Sequence, residues 1–256
     1  MKVTQRDGVT IIQLTGGSAT QSFSREFLPK IRDTILEHLG CRAIVLTGEG
    51  RFFSAGADII AFQQSIEDGT SVELIRELTG ILHPLLLKMR SSSTIFVAAL
   101  NGASAGGGLG LALACDARIA GPNGKMAASY SGIGLSPDGG TTWLLPRLVG
   151  EQKSREFFFE NQIWSASEAF EFGAIDQIVD DSILIDKAVE LAKNWSQWST
   201  HTKEATKHLL LTQNVNDFET HLKHERTLIE AAGLTIEFAE GIDAFINKRK
   251  PNFGSD

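Results

Sequence analysis

The chain has 256 residues, of which 42% are hydrophobic and 21% charged, so it can bury a large core and is not expected to be disordered. Its net charge of -7 argues against broad binding to nucleic acid or membranes. The two cysteines, Cys41 and Cys115, are too few for a disulfide scaffold, which favours a reducing, cytoplasmic location.

The first half of the chain predicts strands that alternate with helices. Short apolar runs predict strands at 9–14, 43–47 and 95–100. Apolar side chains at helical spacing predict a helix over 24–39 and another over 71–90, in which Pro84 marks a kink or break. Short strands with turns are expected over 116–135. This alternation is typical of an α/β core.

The chain after Pro137 has a helical pattern. Helices are predicted at about 139–149, 151–160, 167–172, 182–198, 203–212, 215–232 and 235–248. No linker or internal repeat interrupts this half. We therefore expect one compact unit, with an α/β core at 1–198 and a helical region at 199–256.

Two glycine-containing loops, predicted over 48–58 and 101–108, follow buried strands. Small residues at 54–57 allow a ligand to approach the main chain closely, although an ordinary strand–helix connection is the alternative. The second loop, 101–108, opens a helix, whose N-terminus offers unpaired N–H groups and the positive end of its dipole. Its glycines do not have the spacing of a dinucleotide-binding motif or a P-loop. Together the loops can supply one N–H each to an oxyanion hole.

Four segments of this sequence resemble the crotonase family, the enoyl-CoA hydratase/isomerase superfamily. They are RFFSAGADI at 51–59, NGASAGGGLGLALACDARIA at 101–120, GLSPDGGTTWLLPRLVG at 134–150 and EGIDAFINKRKPNF at 240–253. The resemblance implies a spiral of ββα units with a C-terminal helical region that serves oligomerisation and caps coenzyme A. It also implies an acyl-CoA thioester substrate, coenzyme A as the carrier with no permanently bound cofactor, and a homotrimer or hexamer.

The resemblance also assigns residues to the site. The Ala57 and Gly107 N–H groups are implied as the oxyanion hole for the thioester carbonyl. The residues implied in coenzyme A binding are Ser54, Ala55, Gly56, Ala57, Asp58, Ile59, Phe245 and Lys248. For the basic residues around Lys248, a solvated helix end is the alternative. No metal is predicted, because no group of His, Cys and Asp has metal-ligand spacing.

The sequence departs from the family where hydratases carry two glutamates. Gly110 and Tyr130 occupy those positions, and neither can act as a carboxylate. Hydration needs a base for water and an acid for the α-carbon, so the usual machinery is missing. His83, on an apolar helix, is interpreted as a packed or half-exposed histidine rather than a catalytic one.

Asp138, in the SPDGG motif, is the remaining candidate. The resemblance implies that isomerases of this family carry their single acid/base carboxylate at this position, and a helix N-cap is the alternative role. The expected activity is therefore movement of a double bond in an enoyl-CoA, with Asp138 as the proton shuttle. Three other functions remain open: an enoyl-CoA hydratase, a dehalogenase or hydrolase with Asp138 as nucleophile, and a non-catalytic CoA-binding protein.

Overall fold

The computed structural model describes residues 1–254, which contain ten strands and ten α-helices. The strands are Lys2–Arg6 (β1), Val9–Gln13 (β2), Ala43–Thr47 (β3), Phe52–Ser54 (β4), Ile95–Leu100 (β5), Ala103–Ala105 (β6), Ala117–Ala120 (β7), Lys125–Ala127 (β8), Ile163–Ser165 (β9) and Gln177–Ile178 (β10). The helices are Phe27–Glu37 (α1), Ile59–Glu67 (α2), Ser71–Ser91 (α3), Gly107–Ala114 (α4), Thr141–Phe159 (α5), Ala166–Glu171 (α6), Leu184–Ser196 (α7), Thr200–Thr212 (α8), Phe218–Ala232 (α9) and Ile236–Ile246 (α10).

The strands form two sheets. The larger has the order β1-β2-β3-β5-β7-β10 and is parallel except for the antiparallel pair β1–β2. The smaller has the order β4-β6-β8-β9, in which β9 is antiparallel to β8. Each central strand of the larger sheet is followed by a short strand of the smaller sheet and then by a helix. This repeat, β3-β4-α2, β5-β6-α4 and β7-β8-α5, is the predicted spiral of ββα units.

Strands β3 and β5 are fully buried and almost wholly apolar because both of their faces are covered. Along β3, Ile44 and Leu46 belong to an apolar cluster with α1, α3 and α4, whereas Ala43 and Val45 belong to a second cluster with α7. Successive side chains of a strand point to opposite faces, so one strand feeds both clusters. A sheet covered on both faces explains why 43–47 shows no alternation of polar and apolar residues.

The structure confirms the predicted α/β fold class and corrects some elements. The loop predicted over 48–58 contains β4, and the loop predicted over 101–108 contains β6. Both strands have three residues, too few for a periodic pattern to reveal. Helix α2, which was not predicted, begins directly after that first loop. Helix α3 continues through Pro84 without a break. The non-helical backbone of Gly150 (φ 80°) divides α5 at the boundary between the two helices predicted at 139–149 and 151–160, which agrees with that prediction.

The C-terminal helices α8–α10 follow α7 in the chain. Helix α8 packs against α3 and α9. Helices α9 and α10 begin at capping side chains, Asp217 and Thr235, which accept hydrogen bonds from backbone N–H groups. The C-terminal helical region predicted at 199–256 includes residues 255 and 256, which lie outside the described part of the chain. None of the helices in residues 1–254 combines the length and apolar character needed to span a membrane.

Candidate active site

The loop between β4 and α2 is held by backbone hydrogen bonds to an earlier segment of the chain. The Ala55 N–H donates to the Thr20 carbonyl (2.9 Å), and the Asp58 N–H donates to the Phe23 carbonyl (3.2 Å). The Ala57 N–H lies between these donors in the chain and has no acceptor among residues 1–254. This N–H is therefore available to a ligand.

A second free N–H lies at the start of α4. Gly107 is the first residue of this helix, and its N–H has no acceptor within the part of the chain that the structure describes. The preceding residue, Gly106, has a φ of 51°, a conformation that favours glycine. The helix dipole places partial positive charge at Gly107, which favours an anionic oxygen there.

Gly56 allows the two loops to approach each other. A Cβ atom on Gly56 would lie 2.5 Å from the Ala105 carbonyl oxygen and 2.9 Å from the Gly107 nitrogen. Both distances are too short, and the φ of 77° is strained for any other residue. As a result, Ala57 and Gly107 line the same cavity, which has a volume of about 680 Å³.

This cavity is mostly apolar, and Asp138 is its only carboxylate among the described residues. Its larger apolar side chains are Phe23, Leu28, Phe52, Ile59, Phe62, Ile75, Leu78, Leu82, Ile133 and Leu135. Its other polar residues are Thr79, Ser129, Tyr130, Ser136 and Asn161. Within residues 1–254, no three His, Cys, Asp or Glu side chains form a metal-binding group.

The Asp138 carboxylate does not cap helix α5. The N-cap is Gly140, and no side chain bonds to the first turn there. The backbone carbonyl of Asp138 accepts hydrogen bonds from the Thr141 N–H (3.2 Å) and hydroxyl (2.9 Å). The carboxylate instead accepts a hydrogen bond from the Tyr130 hydroxyl at Oδ1 (3.0 Å). About one third of the Asp138 side chain is exposed, so the carboxylate can meet a ligand.

His83 lies beside Asp138, a contact that the interpretation of a packed or half-exposed histidine did not include. Its Nε2 atom is 3.5 Å from Asp138 Oδ2 and accepts a hydrogen bond from the Gly139 N–H (3.3 Å). Half of the His83 side chain is exposed. Periodicity along α3 could not reveal this pair, because the two residues are 55 positions apart and meet only in the folded chain.

The position of Gly110 leaves no room for a carboxylate. A Cβ atom there would lie 2.5 Å from the Gly139 carbonyl oxygen, because the turn that follows Asp138 packs directly on α4. At the second hydratase position, the buried Tyr130 side chain directs its hydroxyl to Asp138. Tyrosine and the turn thus fill the space that two glutamates would need.

The residues predicted to bind coenzyme A fall into two groups, and the first follows β4. Ser54 is fully buried, where its hydroxyl donates to the Gln21 carbonyl (2.9 Å). The Asp58 carboxylate caps α2 by accepting from the Ile60 N–H (2.9 Å). Ile59 is exposed beside the cavity mouth. Of the residues 54–59, Ala55, Ala57 and Ile59 line the cavity.

The second group lies on the C-terminal helix and is separate from the cavity within the single chain. Phe245 is 85% exposed on α10, and Lys248 follows the helix with a φ of 55°. Neither residue lines the cavity. The fold therefore brings together Ala57, Gly107 and Asp138 but leaves Phe245 and Lys248 apart.

Comparison with known proteins agrees with this architecture. A sequence model described as enoyl-CoA hydratase/isomerase matches residues 4–256. The chain is 34% identical to the 1,2-epoxyphenylacetyl-CoA isomerase of Escherichia coli, over 83% of this chain and 80% of that protein. It is 27% identical to a 4-chlorobenzoyl coenzyme A dehalogenase of an Arthrobacter species, over 97% of this chain and 91% of the relative.

Among solved structures, an enoyl-CoA hydratase from Bacillus anthracis superposes with a TM-score of 0.89 at 28% identity and covers 100% of this chain and 99% of its own. The family model spans nearly the whole chain, and the ββα repeat and the two glycine loops fall within it. The chain belongs to the enoyl-CoA hydratase/isomerase family.

Proposed function

We propose that this protein is an enoyl-CoA isomerase that moves a double bond from C3 to C2 of an acyl-CoA thioester. The observation that carries the proposal is the presence of one carboxylate, Asp138, in the cavity that also holds the free N–H groups of Ala57 and Gly107. A one-base isomerisation needs one carboxylate, whereas hydration uses a separate acid and base.

In this mechanism, the thioester oxygen accepts hydrogen bonds from Ala57 and Gly107. Asp138 removes a proton from C2, and the electrons form a dienolate whose negative oxygen the two N–H groups stabilise. The protonated Asp138 then donates the same proton to C4, which leaves the double bond between C2 and C3. One oxyanion donor contributes roughly 2.7–4 kcal/mol to barrier lowering in measured cases.

We further propose that the acyl group lies against the apolar wall formed by α2, α3 and the 133–135 segment. Phe62, Leu78 and Leu135 line this wall. A second apolar cavity of about 260 Å³ shares Phe62 and Leu135 with the first and continues along α2. An uncharged acyl chain matches these surroundings, because burial of a charged group without a partner is costly.

The coenzyme A and assembly assignments belong to the same proposal. The segment Ser54–Ile59 would hold the carrier with its backbone, and Phe245 and Lys248 would contribute from a neighbouring subunit of a trimer or hexamer. The large apolar side chains exposed on or next to α9 and α10 are Phe218, Leu222, Ile229, Leu234, Ile236, Phe238, Ile242, Phe245 and Ile246. So many exposed apolar side chains suit a subunit interface at 199–256. Light scattering that finds a monomer at micromolar concentration would exclude this arrangement.

A second candidate function uses Asp138 as a nucleophile, and His83 favours it. The Nε2 atom of His83 accepts a hydrogen bond from Gly139, so it carries a lone pair 3.5 Å from the carboxylate. Asp138 would displace a leaving group from the acyl moiety to form an ester, and His83 would take a proton from the water that hydrolyses it. Rapid quench would then trap a covalent adduct.

The test is turnover of a panel of acyl-CoA thioesters by the purified protein. A 3-enoyl-CoA should be converted to the 2-enoyl-CoA without uptake of water and without a covalent intermediate. Halogenated acyl-CoA substrates test the dehalogenase alternative, and crotonyl-CoA tests the hydratase alternative. Binding of acyl-CoA with no turnover of any substrate would instead indicate a non-catalytic CoA-binding protein.

A further inference from the structure

Tyr130 lies between the free Gly107 N–H at the start of α4 and the carboxylate of Asp138. Its side chain is buried, and its ring lies beside Gly106, where a Cβ atom would be 3.9 Å from the Tyr130 Cε1 atom. The preceding residue, Ser129, has a φ of 55°, an uncommon conformation outside glycine that turns the chain at this point. The hydroxyl donates to Asp138 Oδ1 (3.0 Å) and approaches the Asp138 carbonyl (3.2 Å).

The two carboxylate oxygens of Asp138 therefore differ. Oδ1 accepts the Tyr130 hydrogen bond, whereas Oδ2 accepts none from any described residue. Its nearest basic neighbour, His83 Nε2, already accepts from the Gly139 N–H and so has no proton to donate to Oδ2. A lone pair on Oδ2 stays available for a substrate proton.

The phenol remains a donor over the working pH range. Burial, followed by the negative charge of Asp138, raises the pKa of Tyr130 above its ordinary value. Tyr130 consequently keeps its proton and stabilises the ionised form of the carboxylate, since a hydrogen bond to the charged form favours that form.

We infer that Tyr130 is a positioning residue that holds Oδ1 of Asp138 and leaves Oδ2 as the oxygen that carries the substrate proton. The kinetic part of this inference rests on the proposed isomerisation. The hydrogen bond itself is independent of the reaction. Tyr130 fixes the orientation of the carboxylate and favours the ionised form with which Asp138 begins each turnover.

The chain contains a single tyrosine, which allows a test without turnover. Protein in which tyrosine is replaced by 3-fluorotyrosine should give one ¹⁹F signal, from position 130. We expect the ¹⁹F chemical shift to change with pH in the protein that carries Asp138. This pH response should be lost in Asp138→Asn. A pH response that is the same in both proteins would overturn the contact between Tyr130 and Asp138.

The kinetic arm uses Tyr130→Phe, which removes only the hydroxyl. A hydrogen bond to a charged group contributes about 1.5–3 kcal/mol, so we expect kcat for a 3-enoyl-CoA to fall by roughly tenfold or more while KM changes little. The acid limb of the pH–rate profile should move upward, because the ionised carboxylate loses a hydrogen-bond donor. An unchanged acid limb in a folded variant would refute the positioning role.

Ser154→Ala is the matched control, because it also removes a buried hydroxyl that donates to a backbone carbonyl, that of Gly150 (2.9 Å), and this hydroxyl bonds to neither Tyr130 nor Asp138. It should lower stability but leave both the acid limb and the ¹⁹F titration in place. If the wild-type protein does not isomerise any 3-enoyl-CoA, the proposed function fails, while the ¹⁹F comparison still decides whether Tyr130 holds Asp138. If Tyr130→Phe does not fold, the ¹⁹F comparison still tests the contact between Tyr130 and Asp138.

Discussion

Two aspartates of the core, Asp116 and Asp138, hold their carboxylates in different surroundings. Asp116 Oδ2 accepts hydrogen bonds from the Phe96 N–H (2.8 Å) and the Lys207 ammonium (2.9 Å). Only 11% of the Asp116 side chain is exposed, compared with 33% for Asp138. Asp138 accepts a single hydrogen bond at its carboxylate, from Tyr130, within residues 1–254.

This difference separates a structural carboxylate from a reactive one. Lys207 donates also to the carbonyls of Met89 and Thr94, so the ion pair joins α8 to the end of α3 and to the start of β5. Asp116 Oδ2 is thus held by two donors, one of them cationic, and Oδ1 has the Arg90 guanidinium at 3.8 Å. Asp138 has one neutral donor, the Tyr130 hydroxyl, and no lysine or arginine partner among the described residues. The comparison teaches that the absence of a lysine or arginine partner, more than burial, identifies the acid/base candidate.

The largest expected effect is on stability, from Lys207→Met. The substitution leaves Asp116 buried with Arg90 at 3.8 Å as its remaining cation. Breaking a buried ion pair from one side costs about 3–5 kcal/mol of unfolding free energy, which denaturant titration can measure. Lys223→Met is the matched control, since the exposed Lys223 pairs only with Glu219 and should contribute under about 1 kcal/mol. Equal losses in the two variants would contradict the structural role.

The next effect compares the two aspartates directly. Asp138→Asn keeps the side-chain size but cannot take a proton, so we expect isomerisation to fall by roughly 10²-fold or more. Its unfolding free energy should change by no more than about 1 kcal/mol, because the carboxylate caps no helix. Asp116→Asn should show the reverse, with a loss of about 3 kcal/mol and near-normal turnover by the folded fraction. Retention of most activity by folded Asp138→Asn would move the acid/base role elsewhere.

The sequence predicted the fold well where the elements are long and apolar. The buried strands at 43–47 and 95–100 and the long helix at 71–90 follow from hydrophobic runs and helical spacing, so local information was sufficient. Strands β4 and β6 have three residues each and pair only in the assembled smaller sheet. Their formation depends on tertiary partners, which no local pattern contains.

Prediction of the candidate site was similarly uneven. Ala57, Gly107 and Asp138 were available from the motifs, because the family resemblance covers their segments. The Tyr130–Asp138 and His83–Asp138 contacts were not, since each depends on how the turn after Pro137 packs against α3 and α4. The sequence indicated that Gly110 replaces a glutamate of the hydratases. The physical reason, that the Gly139 backbone lies too close for a side chain at position 110, is visible only in the structure.

Hydration provides a third test, with a smaller and more specific effect. Crotonyl-CoA hydration should be slower than isomerisation of a 3-enoyl-CoA, and Gly110→Glu should not restore it. The new side chain would meet the Gly139 carbonyl oxygen 2.5 Å from its Cβ atom and push the Asp138 turn away, which should also lower isomerisation. Gly80→Ala is the control, because a Cβ atom on that helical glycine meets nothing within 4 Å. Hydration that exceeds isomerisation by about tenfold would refute the missing-carboxylate argument.

The smallest effect is the pH dependence of stability that Lys207 produces. Burial lowers the pKa of the Lys207 ammonium from its ordinary alkaline value, although Asp116 opposes this shift. Between the lowered pKa of the folded protein and about 10.4 in the unfolded chain, the unfolded state binds more protons at this position. Its contribution to the unfolding free energy therefore rises with pH in this window, by at most about 1.4 kcal/mol per pH unit.

Lys207→Met should lack that contribution, so the difference in unfolding free energy between wild type and variant should widen as pH rises from about 8 to 10. Other groups that titrate in this range are common to both proteins and cancel in the difference. Denaturant titrations at several pH values measure it. A difference that stays flat or narrows would mean that Asp116 fully compensates the burial of Lys207. The ion pair would then contribute equally at every pH in the window, and the contrast with Asp138 would rest on hydrogen-bond geometry alone.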